Sequence, residues 1–134
     1  MKDFHFDAIA AFENYDIKKM IDGHVIVTTK VVESSLNYYG NAHGGYLFTL
    51  CDQISGLVVI SQGVDGVTLQ SSINYLKAGR LGDVLTIHGE CVHSGRTTRV
   101  VDVDITNQDG ANVCKATFTM FVTGERDESA KVRI

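Results

Sequence analysis

The residue best placed for acid–base chemistry is Asp52, a carboxylate inside a segment that is otherwise almost entirely apolar. If residues 45–61 form a helix, apolar side chains cover most of its circumference. The remaining positions fall on one narrow stripe: Gly45, Thr49, Asp52, Gln53 and Gly56. A carboxylate in a buried helix is costly unless it is paired or used. Asp52 is therefore a candidate catalytic acid or base, or else an ion-pair partner at a subunit contact.

The start of the same segment offers a second kind of chemistry. His43, Gly44 and Gly45 precede the apolar run, and glycine lets a ligand approach bare backbone N–H groups. The first turn of a helix carries unpaired donors and a partial positive charge, which suit a carbonyl oxygen that gains negative charge. The alternative is an ordinary N-terminal cap that contains glycine.

The distance between these two features limits how they can cooperate. Gly44 and Asp52 are separated by about 12 Å of helix axis at about 1.5 Å per residue. A carbonyl-polarising donor and a base must each lie within about 3–4 Å of the reacting atoms. If the two act together, two helices must pack antiparallel across a twofold axis, so that each supplies its Asp52 to the other's Gly44.

Length and composition indicate one soluble domain that spans residues 1–134. The chain has 134 residues with 12 basic and 16 acidic side chains, an acidic balance that disfavours nucleic-acid binding. Its three cysteines, Cys51, Cys91 and Cys114, form no metal-binding or disulfide pattern and indicate a reducing compartment. The first residues show no cationic segment followed by an apolar run, so we expect no secretory signal, and polar residues in the middle of residues 44–63 argue against a membrane span. We expect a cytoplasmic location.

Periodicity predicts an α+β fold. Residues 1–23 have apolar positions at helical intervals and are predicted to form one or two short helices. A strand at 24–33, a polar loop at 36–44 and a long helix at 45–62 follow. Four strands are then predicted at hairpin spacing, at 67–76, 84–93, 97–106 and 112–123. This order predicts an antiparallel sheet of about five strands wrapped around one helix, with 124–134 as a flexible tail.

The other residues that could form a metal or catalytic site show no pattern that favours one. The five histidines show no metal-ligand spacing, so no metal is expected. Asp102 and Asp104 alternate with apolar residues and are interpreted as the solvated face of a strand. No nucleophile elbow, phosphate loop or dinucleotide fingerprint is present. Cys51 lies off the polar stripe and is interpreted as a packing residue.

The loop and helix together resemble a known family. The run Asn-Tyr-Tyr-Gly-Asn-Ala-His-Gly-Gly at 37–45, followed by Asp52, is similar to the hotdog-fold acyl-CoA thioesterases. The similar branch is the phenylacetate-degradation (PaaI-like) type, which includes thioesterase superfamily member 2 of animals. The resemblance extends from about residue 20 to residue 123, with further matches in the turn at 78–83 and the bend at 92–97.

The resemblance implies roles for five residues. Asp52 matches the acid that activates water or attacks the thioester, and Gly44 matches the residue whose N–H polarises the thioester carbonyl. Asn37 matches a side chain that positions the carbonyl or the water, and His43 accompanies it. Thr68 stands where related enzymes place a serine hydroxyl beside the acid. The family builds its sites at dimer interfaces, and the dimers pair into tetramers.

Substrate contacts are also implied. The family holds coenzyme A with loops that correspond here to 77–80 and 94–97, so the candidate residues are Arg80, Ser94, Gly95 and Arg96. Gly45 and Tyr46 at the helix start are further candidates. Tyr38, Tyr39 and Tyr46 could line an acyl pocket or fill the subunit contact.

The implied reaction is hydrolysis of an acyl-CoA, aryl-acyl or medium-chain, without a metal or organic cofactor. Two alternatives stay open. One is a non-catalytic module that binds acyl-CoA; the other is a hotdog enoyl-CoA hydratase or dehydratase. The second type has a proline-containing histidine loop, whereas this chain has no proline.

Overall fold

The computed structural model describes residues 6–127. The elements are β1 (Asp16–Ile21), β2 (His24–Lys30), a 3-10 turn (Glu33–Ser35), α1 (Gly44–Ser61), β3 (Val64–Tyr75), β4 (Val84–Ser94), β5 (Thr98–Thr106) and β6 (Asn112–Glu125). The strands form one sheet in the order β1-β2-β4-β5-β6-β3, and every neighbouring pair is antiparallel. The predicted α+β fold, one helix against an antiparallel sheet, is therefore confirmed.

The prediction of a helical N-terminal segment is wrong. Residues 16–21 form strand β1, which pairs with β2 and makes the sheet six-stranded rather than about five-stranded. The two strands are joined by Asp22 and Gly23, and Gly23 has a φ of +80°. An Asp-Gly turn is a strong hairpin signal because it accommodates positive φ. The helical spacing of the apolar residues concealed this signal. Residues 6–15 form neither helix nor strand, and residues 1–5 lie outside the described part of the chain.

Helix α1 is buried on one side only. Its buried positions follow the spacing of an amphipathic helix: Tyr46, Leu47, Leu50, Cys51, Ile54, Ser55, Val58 and Val59. The opposite side, which includes Thr49, Asp52 and Gly56, is partly exposed. The prediction that the helix is buried nearly all round is therefore wrong for the single chain. By length and composition α1 could cross a membrane, but here it packs in the core of the domain.

The sheet holds the helix at close range. Gly89 of β4 lies directly under α1, because a Cβ atom built there would be 2.8 Å from Ile54 Cγ2 and 2.9 Å from Val58 Cγ2. Leu85 and Ile87 of the same strand are fully buried. Glycine at position 89 thus fixes how deeply the helix sits against the sheet.

Strand β3 ends the sheet and has one unpaired edge. It is 12 residues long and carries Val67 and Leu69, which are 52% and 59% exposed. Such an edge can pair with another strand.

The predicted tail is partly ordered. Strand β6 continues to Glu125, and Arg126 Nη1 lies 2.7 Å from Asp65 Oδ1. The prediction of a flexible tail is therefore wrong for residues 124–126. Residues 128–134 lie outside the described part of the chain.

The outer face of the sheet is polar, as predicted for strand β5. Val101, Val103 and Ile105 are buried, while Asp102 faces outward and accepts a hydrogen bond from Thr117. On the same face Nε2 of His24 contacts Nε2 of His88, and His88 Nδ1 lies 3.3 Å from Asp104 Oδ1.

We expect Gly89→Ala to destabilise the fold by about 1–3 kcal/mol, because the added methyl group must displace α1. Urea unfolding measures the change. Gly124→Ala is the matched control: apart from its two chain neighbours, no residue in the described part of the chain comes within 4 Å of a Cβ at Gly124, so its effect should stay within about 0.5 kcal/mol. Equal stability of the two variants would contradict the close seating of the helix.

We expect His24 to make stability dependent on pH. Burial, Lys19 and His88 lower the pKa of His24 from its ordinary 6.5, against an opposing effect of Glu90. The unfolded chain therefore binds this proton more readily than the folded chain. The contribution of neutral His24 to the free energy of unfolding is complete above pH 6.5 and is lost as the pH falls below that value. The urea midpoint of wild type should fall more steeply on acidification than that of His24→Gln. Identical pH profiles would contradict this assignment.

Candidate active site

Asp52 is paired with one hydroxyl group. Its Oδ1 accepts a hydrogen bond of 2.8 Å from Thr68 Oγ1, while Oδ2 has no hydrogen-bond partner within residues 6–127. The side chain lies on the partly exposed side of α1. The carboxylate is therefore oriented by a neutral group and keeps one oxygen available to accept a proton.

A β-bulge aims Thr68 at the acid. The pairing of β3 with β6 shifts register between Thr68 and Gln70. Before the bulge Gly66 and Thr68 face the helix; after it Ile73 and Tyr75 face the helix. Strict alternation along a strand at 67–76 would put Thr68 on the face opposite to Ile73 and Tyr75, and the bulge overrides that pattern. Bulges commonly redirect a side chain in this way.

In the loop before α1, the amide oxygen of Asn37 accepts hydrogen bonds, whereas its amide nitrogen has no acceptor within the described residues. Asn37 Oδ1 accepts hydrogen bonds from the backbone N–H groups of Tyr39, at 3.0 Å, and Asn41, at 3.1 Å. Gly40 supplies the positive φ, +77°, that closes the loop. Because two donors fix Oδ1, the Nδ2 group points elsewhere, and it has no acceptor within the described residues.

The helix start presents a free donor. His43 caps the helix, since its Nδ1 accepts the N–H of Gly45 at 2.9 Å. The N–H of Gly44 has no acceptor within residues 6–127. It therefore lies at the positive end of α1 and is available to a ligand oxygen. Tyr75 donates its hydroxyl to the carbonyl oxygen of Gly44 at 2.9 Å.

A cleft of about 340 Å³ opens at this end of the helix. Its lining includes Asn37 and Gly44, both predicted as site residues, together with Tyr75, Lys77 and Gly79. Tyr75 was missed as a site residue, because nothing in its sequence spacing distinguishes it from a core position of β3.

The chain does not bring its two chemical groups together. Gly44 lines the cleft at the start of α1, whereas Asp52 meets Thr68 two turns further along. The axial separation is about 12 Å. The domain thus carries two separate sets of candidate residues, one with donors and one with an acid, which we call candidate half-sites.

The predicted coenzyme A residues lie at opposite ends of the domain. Arg80 is beside the cleft, where it forms a backbone bridge with Asn41. Ser94, Gly95 and Arg96 are in the β4–β5 hairpin near the end of α1, where Arg99 bonds both Gly95 and Gln62. The helix between the two ends is about 27 Å long, so one chain cannot place both groups on one short stretch of ligand.

Three other residues are core side chains. Tyr46 is 2% exposed, and burial raises the pKa of its hydroxyl to about 12, so its side chain does not line the cleft. Cys51 and Cys114 are fully buried. Contact with Cys114, together with burial, raises the pKa of the Cys51 thiol, which is consistent with the predicted packing role.

No three metal-binding side chains converge within residues 6–127. The absence of a metal or organic cofactor stays a prediction.

Comparison with known proteins assigns the chain to a family. The sequence profile of the thioesterase superfamily matches residues 39–114. Acyl-coenzyme A thioesterase PaaI of Escherichia coli is 36% identical over 80% of this chain and 76% of its own length. A hypothetical thioesterase of Streptococcus pneumoniae, solved with coenzyme A, is 85% identical over 92% of this chain and 100% of its own, with a TM-score of 0.91. Its Asp52→Ala variant is also solved, with a TM-score of 0.89 over 90% of this chain and 100% of that one.

The six-stranded antiparallel sheet around a single helix is therefore a hotdog fold of the PaaI-like type. The chain belongs to the thioesterase superfamily, and it is a thioester hydrolase.

Proposed function

We propose that this enzyme hydrolyses aryl-acyl or medium-chain acyl-CoA thioesters to the free acid and coenzyme A. The observation that carries the proposal is the pair of candidate half-sites on one helix: a free Gly44 N–H beside the Asn37 amide, and an Asp52 carboxylate oriented by Thr68. Polarised carbonyl and activated water are the two requirements of thioester hydrolysis. The names of the relatives support acyl-CoA as the substrate class.

The chemistry assigns one task to each group. The thioester carbonyl oxygen accepts the Gly44 N–H, and Asn37 Nδ2 positions the carbonyl or the attacking water. Asp52 takes a proton from that water while Thr68 holds the carboxylate. The water oxygen bonds to the carbonyl carbon, and the tetrahedral intermediate then collapses. The C–S bond breaks, and the thiolate takes the proton from Asp52. In the variant mechanism Asp52 itself attacks, and an anhydride is hydrolysed in a second step.

The complete site is shared between two protomers in this proposal. An antiparallel pairing of two α1 helices would place the Asp52 of each beside the Gly44 of the other. Two features support such a pairing: the partly exposed side of α1 carries Asp52 between Thr49 and Gly56, and within the described residues the edge of β3 is unpaired. We propose a homodimer, or a dimer of such dimers.

The same pairing would also bring the two sets of candidate coenzyme A residues close to each other. In an antiparallel arrangement the end of one helix lies near the loop that precedes the other. Arg80 beside that loop would then face the partner subunit's hairpin, which carries the second candidate set at 94–96. Cations on both sides suit a ligand with several phosphates. A cytoplasmic location stays a prediction.

We expect Asp52→Asn to lower kcat by about 10²–10⁴-fold, because the amide keeps the shape of the side chain but cannot accept the proton. Free-thiol release from phenylacetyl-CoA and decanoyl-CoA measures the change. The matched control is Asp102→Asn, which removes an exposed carboxylate on the outer face of the sheet. An Asp52→Asn enzyme that folds normally and turns over at the wild-type rate would contradict the assignment.

Single-turnover hydrolysis in ¹⁸O-labelled water separates the two mechanisms. Under general-base catalysis all the label enters the product acid, whereas an anhydride that is hydrolysed at its aspartyl carbonyl places label in the Asp52 carboxylate. Mass spectrometry of the peptide that contains Asp52 reads the outcome.

A further inference from the structure

Tyr75 reaches from the end of β3 to the first residue of α1. Its hydroxyl donates to the Gly44 carbonyl oxygen at 2.9 Å. Its ring lies against the same residue, since a Cβ atom built on Gly44 would be 3.5 Å from Cζ and 3.7 Å from Cε1. The side chain is 51% exposed and lines the cleft.

This hydrogen bond completes a clamp on one peptide group. The Gly44 carbonyl belongs to the peptide plane whose N–H is that of Gly45. That N–H donates to His43 Nδ1 at 2.9 Å, so the plane is held at both ends. The preceding plane is held through the His43 carbonyl oxygen, which accepts the N–H of Leu47 at 3.0 Å. Only the Gly44 N–H of these two planes is left without an acceptor in the described residues.

The clamp matters because two consecutive glycines form the start of the helix. Glycine has a wide choice of φ and ψ, and a helix end frays readily when its groups are unpaired. A polarising N–H must point at the carbonyl oxygen to within a narrow range of angle and distance. A residue from another element that fixes the Gly44–Gly45 plane therefore fixes the direction of the catalytic donor.

We propose that Tyr75 is a positioning residue, which orients the Gly44 N–H toward the thioester carbonyl by holding the peptide plane that follows it. The proposal rests on the proposed function, because it assigns the Gly44 N–H to the reaction. Burial raises the pKa of the Tyr75 hydroxyl, with further contributions from Cys114 and Cys51. The group therefore remains a donor as the pH rises above neutrality.

Tyr75→Phe keeps the ring and removes only the hydroxyl. We expect kcat to fall about three- to tenfold, with little change in KM. This factor is the net free energy of one hydrogen bond converted to a ratio of rates. The effect should fall on kcat because the donor acts most strongly on the charge that develops in the transition state. Tyr15→Phe is the matched control, because Tyr15 is 61% exposed and lies outside the cleft.

A second measurement does not depend on activity. Amide hydrogen exchange at Gly45 should quicken severalfold in Tyr75→Phe, whereas amides in the middle of α1 should keep their wild-type rates. If wild type hydrolyses no acyl-CoA, the proposed function fails, but the exchange experiment still tests the clamp.

The outcomes are distinct. A fall in kcat together with faster Gly45 exchange supports a positioning role. An unchanged kcat in an active enzyme, a loss carried entirely by KM, or unchanged Gly45 exchange would each overturn it.

Discussion

The rise of a single α-helix is the constraint on which this structure depends. Gly44 and Asp52 belong to one straight element, and about 12 Å of axis separates them. No rotation of a side chain closes that gap, since both groups must lie within about 3–4 Å of the reacting atoms. The proposed reaction therefore requires a second copy of the helix. The partly exposed side of α1 and the unpaired edge of β3 are the surfaces through which a copy can approach.

Each candidate half-site depends on a departure from regular backbone geometry. The bulge after Thr68 turns its hydroxyl to the helix side of the sheet, where it meets Asp52. The tight loop at 37–41 uses Asn37 Oδ1 as an internal acceptor and leaves Nδ2 without an acceptor among residues 6–127. Neighbouring segments hold both irregular regions in place. Strand β6 pairs with β3 beside Thr68, and the N–H of Ala42, just after the loop, donates to the carbonyl oxygen of Gly79 at 2.7 Å. Groups held in this way would need little reorganisation during the proposed reaction.

The sequence predicted the parts of the site that depend on pattern. The stripe that contains Asp52, a helix start at residue 45 and the four later strands follow from periodicity and glycine placement; the structure has all of them, with the helix beginning one residue earlier, at Gly44. Prediction from periodicity failed where a turn or a β-bulge interrupts the regular pattern. The Asp-Gly turn at 22–23 makes a hairpin of residues whose apolar spacing also fits a helix, and the bulge after Thr68 reverses the alternation of β3. Tyr75 could not be found in this way, because its contact with Gly44 joins residues 31 positions apart.

Complementation between two inactive variants tests the shared site most directly. Asn37→Asp keeps the oxygen that accepts the loop N–H groups but removes the amide donors, while Asp52→Asn removes the base. When the two variants are co-expressed and assort at random, half of the dimers are mixed, and each mixed dimer has one intact site if the halves come from different protomers. The expected activity is about a quarter of wild type. Mixed dimers with no more activity than either variant alone would show that each protomer works with its own Asn37 and Asp52.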